Sequence, residues 1–315
     1  MRPIRAAWFA APRRDAALVL LALALVLASA AGKEMEIHAP ENSMSTYFDS
    51  EGWHGRVITL SAHSPRAYLY KNFLTPEECD FIVDKAEGKL VPSEVVNNTD
   101  GSLHVSNART SSSTSFGIAE NEVIARIERR IAAITHFPVA HGEPFTVLKY
   151  VQGQKYDAHY DYFHDHVHSA RENGGQRAAT VLMYLSTVPI NGGGETSFPD
   201  AKYGQVSGDE WSECARGTLA VKTNKGDALV FHNLHTDATK DPTSYHASCP
   251  TTAGEKYSLT KWIRVHPAWQ YHGGDMCEDL HEHCAYWANT GECENTKQFM
   301  EENCRAACNL CQYSW

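Results

Sequence analysis

The chain has 315 residues, 43% of them hydrophobic and 21% charged, the composition of a folded protein rather than a disordered or fibrous one. Its formal net charge of −10 excludes a nucleic-acid binder that works by neutralising phosphates. Six of the nine cysteines fall between Cys277 and Cys311, which predicts a small disulfide-dense module after a larger, cysteine-poor body.

The N-terminus addresses the compartment. Arg2, Arg5, Arg13 and Arg14 precede an apolar run from Ala16 to Ala31 in which only Ser29 is polar. A positive flank before such a run predicts entry into the secretory pathway. Ala28-Ser29-Ala30 resembles a cleavage site, whereas the long arginine-bearing lead favours a retained type II anchor, so residues 1–32 are read as a signal-anchor or signal peptide. Either reading puts the rest of the chain in an oxidising lumen of the endoplasmic reticulum or Golgi. Residues 33–65 are polar without a clean period and read as a stem.

The body then opens on a helix signal. Thr75-Pro76-Glu77-Glu78 sets Thr at the N-cap, Pro at the first helical position and Glu at the third, with Gly88 as the stop. A second helix is predicted from Asn121 to Ile134, where Val123, Ile127 and Ile131 recur every four residues. Asn97-Asn98-Thr99, in a turn-rich stretch, is a sequon that predicts glycosylation of Asn97. From Phe145 the pattern changes to short β-rich runs, at 145–151, 155–163, 179–187, 217–223, 227–234 and 257–265, punctuated by Gly, Asn and Asp. The fold class expected is mainly β with flanking helices (α+β), a jelly roll or barrel rather than βαβ units. Of the three body cysteines, Cys214 and Cys249 are expected to pair and Cys79 to stay a buried thiol.

His159-Tyr160-Asp161 lies inside one of the β-rich runs, so His159 and Asp161 share a face. An imidazole and a carboxylate there supply two positions of a metal, and with a third ligand the set suits non-haem Fe(II). A three-residue pattern recurs by chance and does not carry the assignment alone. A second one, His235-Thr236-Asp237, sits among Asn233, Asp241 and Pro242 and reads as a structural loop. His164, His166 and His168 also alternate, but they run into a polar, glycine-bearing stretch and read as solvated. His246 followed by Lys256 supplies an imidazole and a cation suited to the far carboxylate of a 2-oxoacid.

Together with RTSSSTSF (109–116), LKYVQGQKYDAHYDYF (148–163), GGGETSFP (192–199) and HASCPTTAGEKYSLTKWIR (246–264), these residues resemble the prolyl 4-hydroxylases of plant and algal type. The resemblance implies a double-stranded β-helix over residues 66–270, binding Fe(II) through His159, Asp161 and His246. It implies 2-oxoglutarate held by Lys256 with Tyr150, Thr196 and Trp262, and Arg177 and Glu143 near a peptide groove. O₂ as cosubstrate, L-ascorbate as reductant and a proline-rich polypeptide as substrate follow from the same likeness. Departures are an extra glycine in GGGET, a long polar stretch at 201–215, Ala247 for the usual Gly and Tyr257 for a common Trp.

The C-terminal cysteines permit fifteen pairings, which spacing cannot separate. Residues 277–311 resemble a ShK toxin-like (ShKT) domain, which implies the pairs Cys277–Cys311, Cys284–Cys304 and Cys293–Cys308. A zinc site at Cys308-x-x-Cys311 competes, but an oxidising lumen disfavours it. The toxin's Lys-Tyr pair is missing, Lys297 being followed by Gln298, so an accessory role with an unknown partner is expected. Two rival functions remain: the same oxygenase chemistry on another residue or a free amino acid, and a secreted binding protein that works through the ShKT module.

Overall fold

A computed structural model describes residues 44–48, 54–96, 101–267, 279, 281, 283–304 and 306–308. The apolar N-terminal run, Asn97, Cys277 and Cys311 lie outside the described residues. Strands β1 (Met44–Phe48), β2 (His54–Ser61) and β3 (Ala67–Lys71) lead into helix α1 (Pro76–Glu87). Strands β4 (Val91–Pro92), β5 (Glu94–Val96), β6 (Leu103–Val105) and β7 (Ser112–Phe116) precede helix α2 (Glu122–Thr135). Then follow β8 (Phe145–Tyr150), β9 (Tyr156–His159), β10 (Arg177–Tyr184), β11 (Thr196–Phe198) and β12 (Leu219–Val221). Strands β13 (Ala228–His232), β14 (His246–Ser248) and β15 (Lys256–Arg264) complete the body. Three short helices form the C-terminal segment: α3 (Cys284–Asn289), α4 (Glu292–Asn295) and α5 (Lys297–Asn303).

The strands form a nine-stranded sheet in the order β1-β2-β3-β13-β10-β15-β8-β7-β4 and a four-stranded sheet in the order β12-β11-β14-β9. β5 and β6 pair as a separate hairpin. Neighbours in the large sheet run antiparallel, and alternation along each strand divides its side chains between two layers. Ala179, Val181 and Met183 of β10 and Leu259 and Ile263 of β15 pack towards α1 and α2. Tyr184 with Leu229 and Phe231 of β13 packs instead with Phe198, Leu219 and Val221 of the small sheet. The layers are therefore helices, large sheet and small sheet, and the site lies between the two sheets.

The helices form where the local chemistry places them. Thr75 Oγ1 accepts the Glu78 N–H at 3.2 Å, and Glu78 Oε2 accepts the Thr75 N–H at 3.0 Å. Glu78 also receives the Arg130 guanidinium at 2.9 and 3.2 Å, which ties the cap of α1 to α2. The buried face of α2 is Ile124, Ile127, Ile131 and Ile134. Burying a side chain of that size stabilises by about 1.5–3 kcal/mol.

Two expectations need correction. Within the segment read as a stem, β1 and β2 extend the large sheet at one edge. The run Val57-Ile58-Thr59-Leu60 is β-branched and apolar, a strand signal masked by its polar flanks. The run read as one strand over 155–163 ends at His159, so Asp161 lies just beyond it.

Cys214 and Cys249 are disulfide-bonded, joining the polar stretch at 201–215 to the segment that follows β14. That stretch is further held by Ser212, whose N–H and Oγ donate to the buried Glu195 carboxylate at 3.0 and 2.8 Å. Cys79 is a free buried thiol, pushed up to about 12 by desolvation. In the C-terminal segment, Cys284–Cys304 and Cys293–Cys308 are bonded around Met300.

Candidate metal centre

His246 opens β14 opposite His159 at the end of β9, and Asp161 follows two residues later. One ligand atom from each of the three residues lies within 4.8 Å of the others. His159 Nε2 is 3.6 Å from Asp161 Oδ1, and His246 Nε2 is 3.6 Å from Asp161 Oδ2. Each imidazole spends its other nitrogen on a main-chain carbonyl. His159 Nδ1 contacts Asp157 O at 2.8 Å, and His246 Nδ1 contacts Ser244 O at 2.9 Å. A carbonyl only accepts, so both Nδ1 atoms carry the proton and both Nε2 lone pairs are left for a metal.

The electrostatics agree. Burial pushes the His246 imidazole down to about 4, so it is neutral at pH 7. Burial alone would raise the Asp161 carboxyl, but His246, His159 and Arg177 together hold it below the ordinary carboxylate range. Two imidazole nitrogens and one carboxylate, with both Nε2 atoms left for a metal, fit a divalent iron with open positions. Among the described residues this is the one cluster of His, Cys, Asp or Glu with such geometry.

Lys256, Tyr150, Thr196 and Trp262 line the same pocket as the triad. Lys256 is 1% exposed, donates to Ser248 Oγ at 2.8 Å and forms no ion pair among the described residues. Burial lowers its ammonium to about 7. Tyr150 is 2% exposed, and Thr196 Oγ1 accepts the Tyr184 hydroxyl at 2.8 Å. Trp262 Nε1 is buried with no partner among the described residues, a donor available to a bound molecule. The pocket thus offers hydroxyls and a buried amine, Lys256, beside three metal ligands, the complement of a small dicarboxylate that chelates a metal at one end.

A groove of about 700 Å³ runs past the triad, lined by the β5–β6 hairpin on one side and by Tyr156, Tyr160, Tyr162 and Tyr245 on another. Arg177 lines it, but Glu143 does not. Glu143 accepts Arg177 through both oxygens at 2.7 Å and is ion-paired with Arg264 at 2.5 Å, so it braces the guanidinium from behind. Burial would raise its carboxyl, and the two guanidiniums overcome that and hold it below the usual range. Arg177 itself stacks over Trp262 at 4.0 Å from the ring centroid.

The loop reading of the other histidines agrees with their placement. His164 and His166 are exposed, His168 Nδ1 pairs with Asp165 at 3.1 Å, and Asp237 accepts the Thr239 N–H and hydroxyl within its own turn. The extra glycine of 192–194 answers a close approach. Gly193 has φ +69°, and a Cβ on it would meet Pro250 O at 2.1 Å. Sequence reasoning missed Arg109, Thr180 and Ser248, which also line the pocket. No spacing signal marks them; only strand pairing brings them to the metal ligands.

A family model described as the 2OG-Fe(II) oxygenase superfamily matches residues 145–264, and one described as ShK domain-like matches residues 276–311. The chain is 45% identical over 263 residues to "Probable prolyl 4-hydroxylase 6" of Arabidopsis thaliana, covering 81% of this chain and 89% of that protein. It is 44% identical over 260 residues to prolyl 4-hydroxylase 2 of the same plant, covering 78% and 85%. The solved viral collagen prolyl hydroxylase of Paramecium bursaria Chlorella virus-1, in complex with 2OG, aligns at a TM-score of 0.47 and 26% identity, covering 63% of this chain and 95% of that one. Identity of this level across most of the plant relatives' length shows that the chain belongs to the prolyl 4-hydroxylase family, within the Fe(II)- and 2-oxoglutarate-dependent oxygenases.

Proposed function

We propose that the chain hydroxylates C4 of peptidyl proline, using Fe(II), O₂ and 2-oxoglutarate and releasing succinate and CO₂. One oxygen atom goes to proline and the other to succinate, so the step balances without a further reductant. The observation that carries this reading is the convergence, in one pocket beside an aromatic-lined groove, of the triad with a buried lysine that forms no ion pair among the described residues. Bound Fe(II) would supply oxygen activation, which protein side chains do not. The chain's own residues orient the reactants. Lys256 and the pocket hydroxyls fix the cosubstrate's far carboxylate, and burial keeps water from competing for it. Arg177, held by Glu143, presents a flat cation at the groove, where the tyrosines offer faces to the rings of an extended polyproline II segment.

The finer assignments are part of the same proposal. The substrate class is procollagen-type or hydroxyproline-rich glycoprotein sequence, with L-ascorbate restoring iron oxidised in uncoupled turnovers. The apolar run after Arg14 argues for a type II anchor that holds the body on the luminal side of the endoplasmic reticulum or Golgi. Three disulfides among the described residues and the Asn97 sequon suit that compartment. The ShK-like segment is then an accessory module. The intact triad and Lys256 count against a purely non-catalytic binding protein. The test is mass spectrometry of poly-proline and (Pro-Pro-Gly) peptides after incubation with the chain, Fe(II) and 2-oxoglutarate. A one-oxygen gain on proline is expected, and peptides whose prolines gain no oxygen while 2-oxoglutarate is consumed would overturn the assignment.

A further inference from the structure

The loop that carries the discarded His235-Thr236-Asp237 pattern frames the metal centre from behind. Its first residue, Asn233, follows β13 and is fully buried, with its N–H on Ala178 O at 2.9 Å and its carbonyl accepting Asp241 N–H at 3.0 Å. Asn233 Nδ2 donates to Thr180 Oγ1 at 3.0 Å, and Thr180 Oγ1 donates to Asp161 Oδ2 at 2.7 Å. The direction of this relay is dictated by charge. Ionised Asp161 can only accept, so it takes the single hydroxyl proton of Thr180. The Thr180 oxygen must then accept, which selects the amide nitrogen of Asn233 and leaves Asn233 Oδ1 buried without a partner among the described residues. The far end of the loop serves another ligand. Asp241 Oδ1 accepts the Thr243 N–H at 2.8 Å, Asp241 O accepts the Ser244 N–H at 3.2 Å, and the Ser244 carbonyl receives His246 Nδ1.

We infer that Thr180 and Asn233 are positioning residues that commit one oxygen of Asp161 to the protein and so hold this ligand to single-oxygen coordination. A carboxylate free to swing would bind through both oxygens and consume a position that a chelating cosubstrate or O₂ requires. The inference rests on the metal-binding reading of the triad, and the two are separable by experiment. The full chain is stripped with a chelator and titrated with Co(II), read by visible absorption, which reports affinity and coordination number together. Loss of an outer hydrogen-bond partner weakens a metal site by about 10–100-fold, which is the expectation for Thr180→Val together with a changed band intensity. Thr180→Ser, which keeps the hydroxyl, should bind within about threefold of wild type, and a merely volumetric role would not give that rescue. Asn233→Ala should weaken binding in the same direction, and the double variant should lose no more than Thr180→Val alone, because both act through one hydrogen bond. Wild-type affinity and spectrum in Thr180→Val would overturn the inference. Should that variant fail to fold by circular dichroism, Asn233→Ala decides in its place, and wild-type behaviour there overturns it. A wild-type chain that takes up no Co(II) would instead overturn the metal centre itself.

Discussion

Strand β15 buries two lysines five positions apart, and the two meet opposite environments. Lys261, on the helix-facing side, donates to Glu128 of α2 at 2.5 Å, with both side chains 2% exposed or less. Glu128 is satisfied at its other oxygen by the Ala119 N–H at 2.9 Å. Lys256, on the side that faces the small sheet, has a serine hydroxyl and two tyrosine rings around it and no ion pair among the described residues. An odd separation puts the two ammoniums on opposite faces of one strand. Burial lowers both, but only the outward lysine has a carboxylate opposing the shift through a hydrogen bond. A structural lysine arrives with its anion, whereas a binding lysine is buried ahead of an anion that the ligand must bring.

Breaking the structural pair should have the largest effect on stability. Lys261→Met leaves Glu128 charged and without its cation in the interior, a loss of about 3–5 kcal/mol in a denaturant melt. The companion change Glu128→Leu in the same chain should recover most of it, since a matched apolar pair replaces a matched ionic one. Equal stability of wild type and Lys261→Met would erase the distinction between the two lysines.

The binding lysine should show the reverse pattern. Lys256→Ala should raise the 2-oxoglutarate KM by about 10–150-fold, the equivalent of a charge-assisted contact of about 1.5–3 kcal/mol. Its melt without ligand should hold or improve, because no carboxylate is orphaned. Lys256→Arg should recover only part of the affinity, its fork being longer and differently shaped. A KM unchanged in Lys256→Ala would assign the anchoring to another cation.

A smaller effect sharpens the contrast through pH. Burial holds Lys256 at about 7, and a bound carboxylate favours the ammonium. Below pH 7 the cation is already present; above it, binding must draw a proton from solution. Affinity for 2-oxoglutarate should therefore weaken as pH rises past 7, with a limiting slope of about tenfold per unit. Calorimetry in two buffers of different ionisation enthalpy should show proton uptake at pH 8 and little at pH 6. Equal uptake at both would contradict it.

What the sequence made legible was local or chemically marked. The capping box at Thr75 lies within four residues and needs no tertiary knowledge, and α1 starts where it indicates. The Cys214–Cys249 pair followed from having three body cysteines and one obvious loop to tether. The pocket residues Lys256, Tyr150, Thr196 and Trp262 converge in space, but only the likeness to a family singled them out, since a lone lysine is ordinarily a solvated amine. Thr180 and Asn233 stayed invisible because pairing of β10 with β13 brings them together across 53 positions. The strands β1 and β2 are masked by polar flanks, and which side of Arg177 the Glu143 carboxylate takes is set by the tertiary fold rather than by any local pattern.

The central claim is that the inward face of β15 and the triad together run an oxygenase reaction on peptidyl proline. Turnover of the full chain under ¹⁸O₂, with Fe(II), 2-oxoglutarate and a proline-rich peptide, reads it in one spectrum. The account predicts one ¹⁸O atom in hydroxyproline and one in succinate, in equal amounts. Labelled succinate with an unlabelled peptide, or hydroxyproline whose oxygen comes from water, would contradict it.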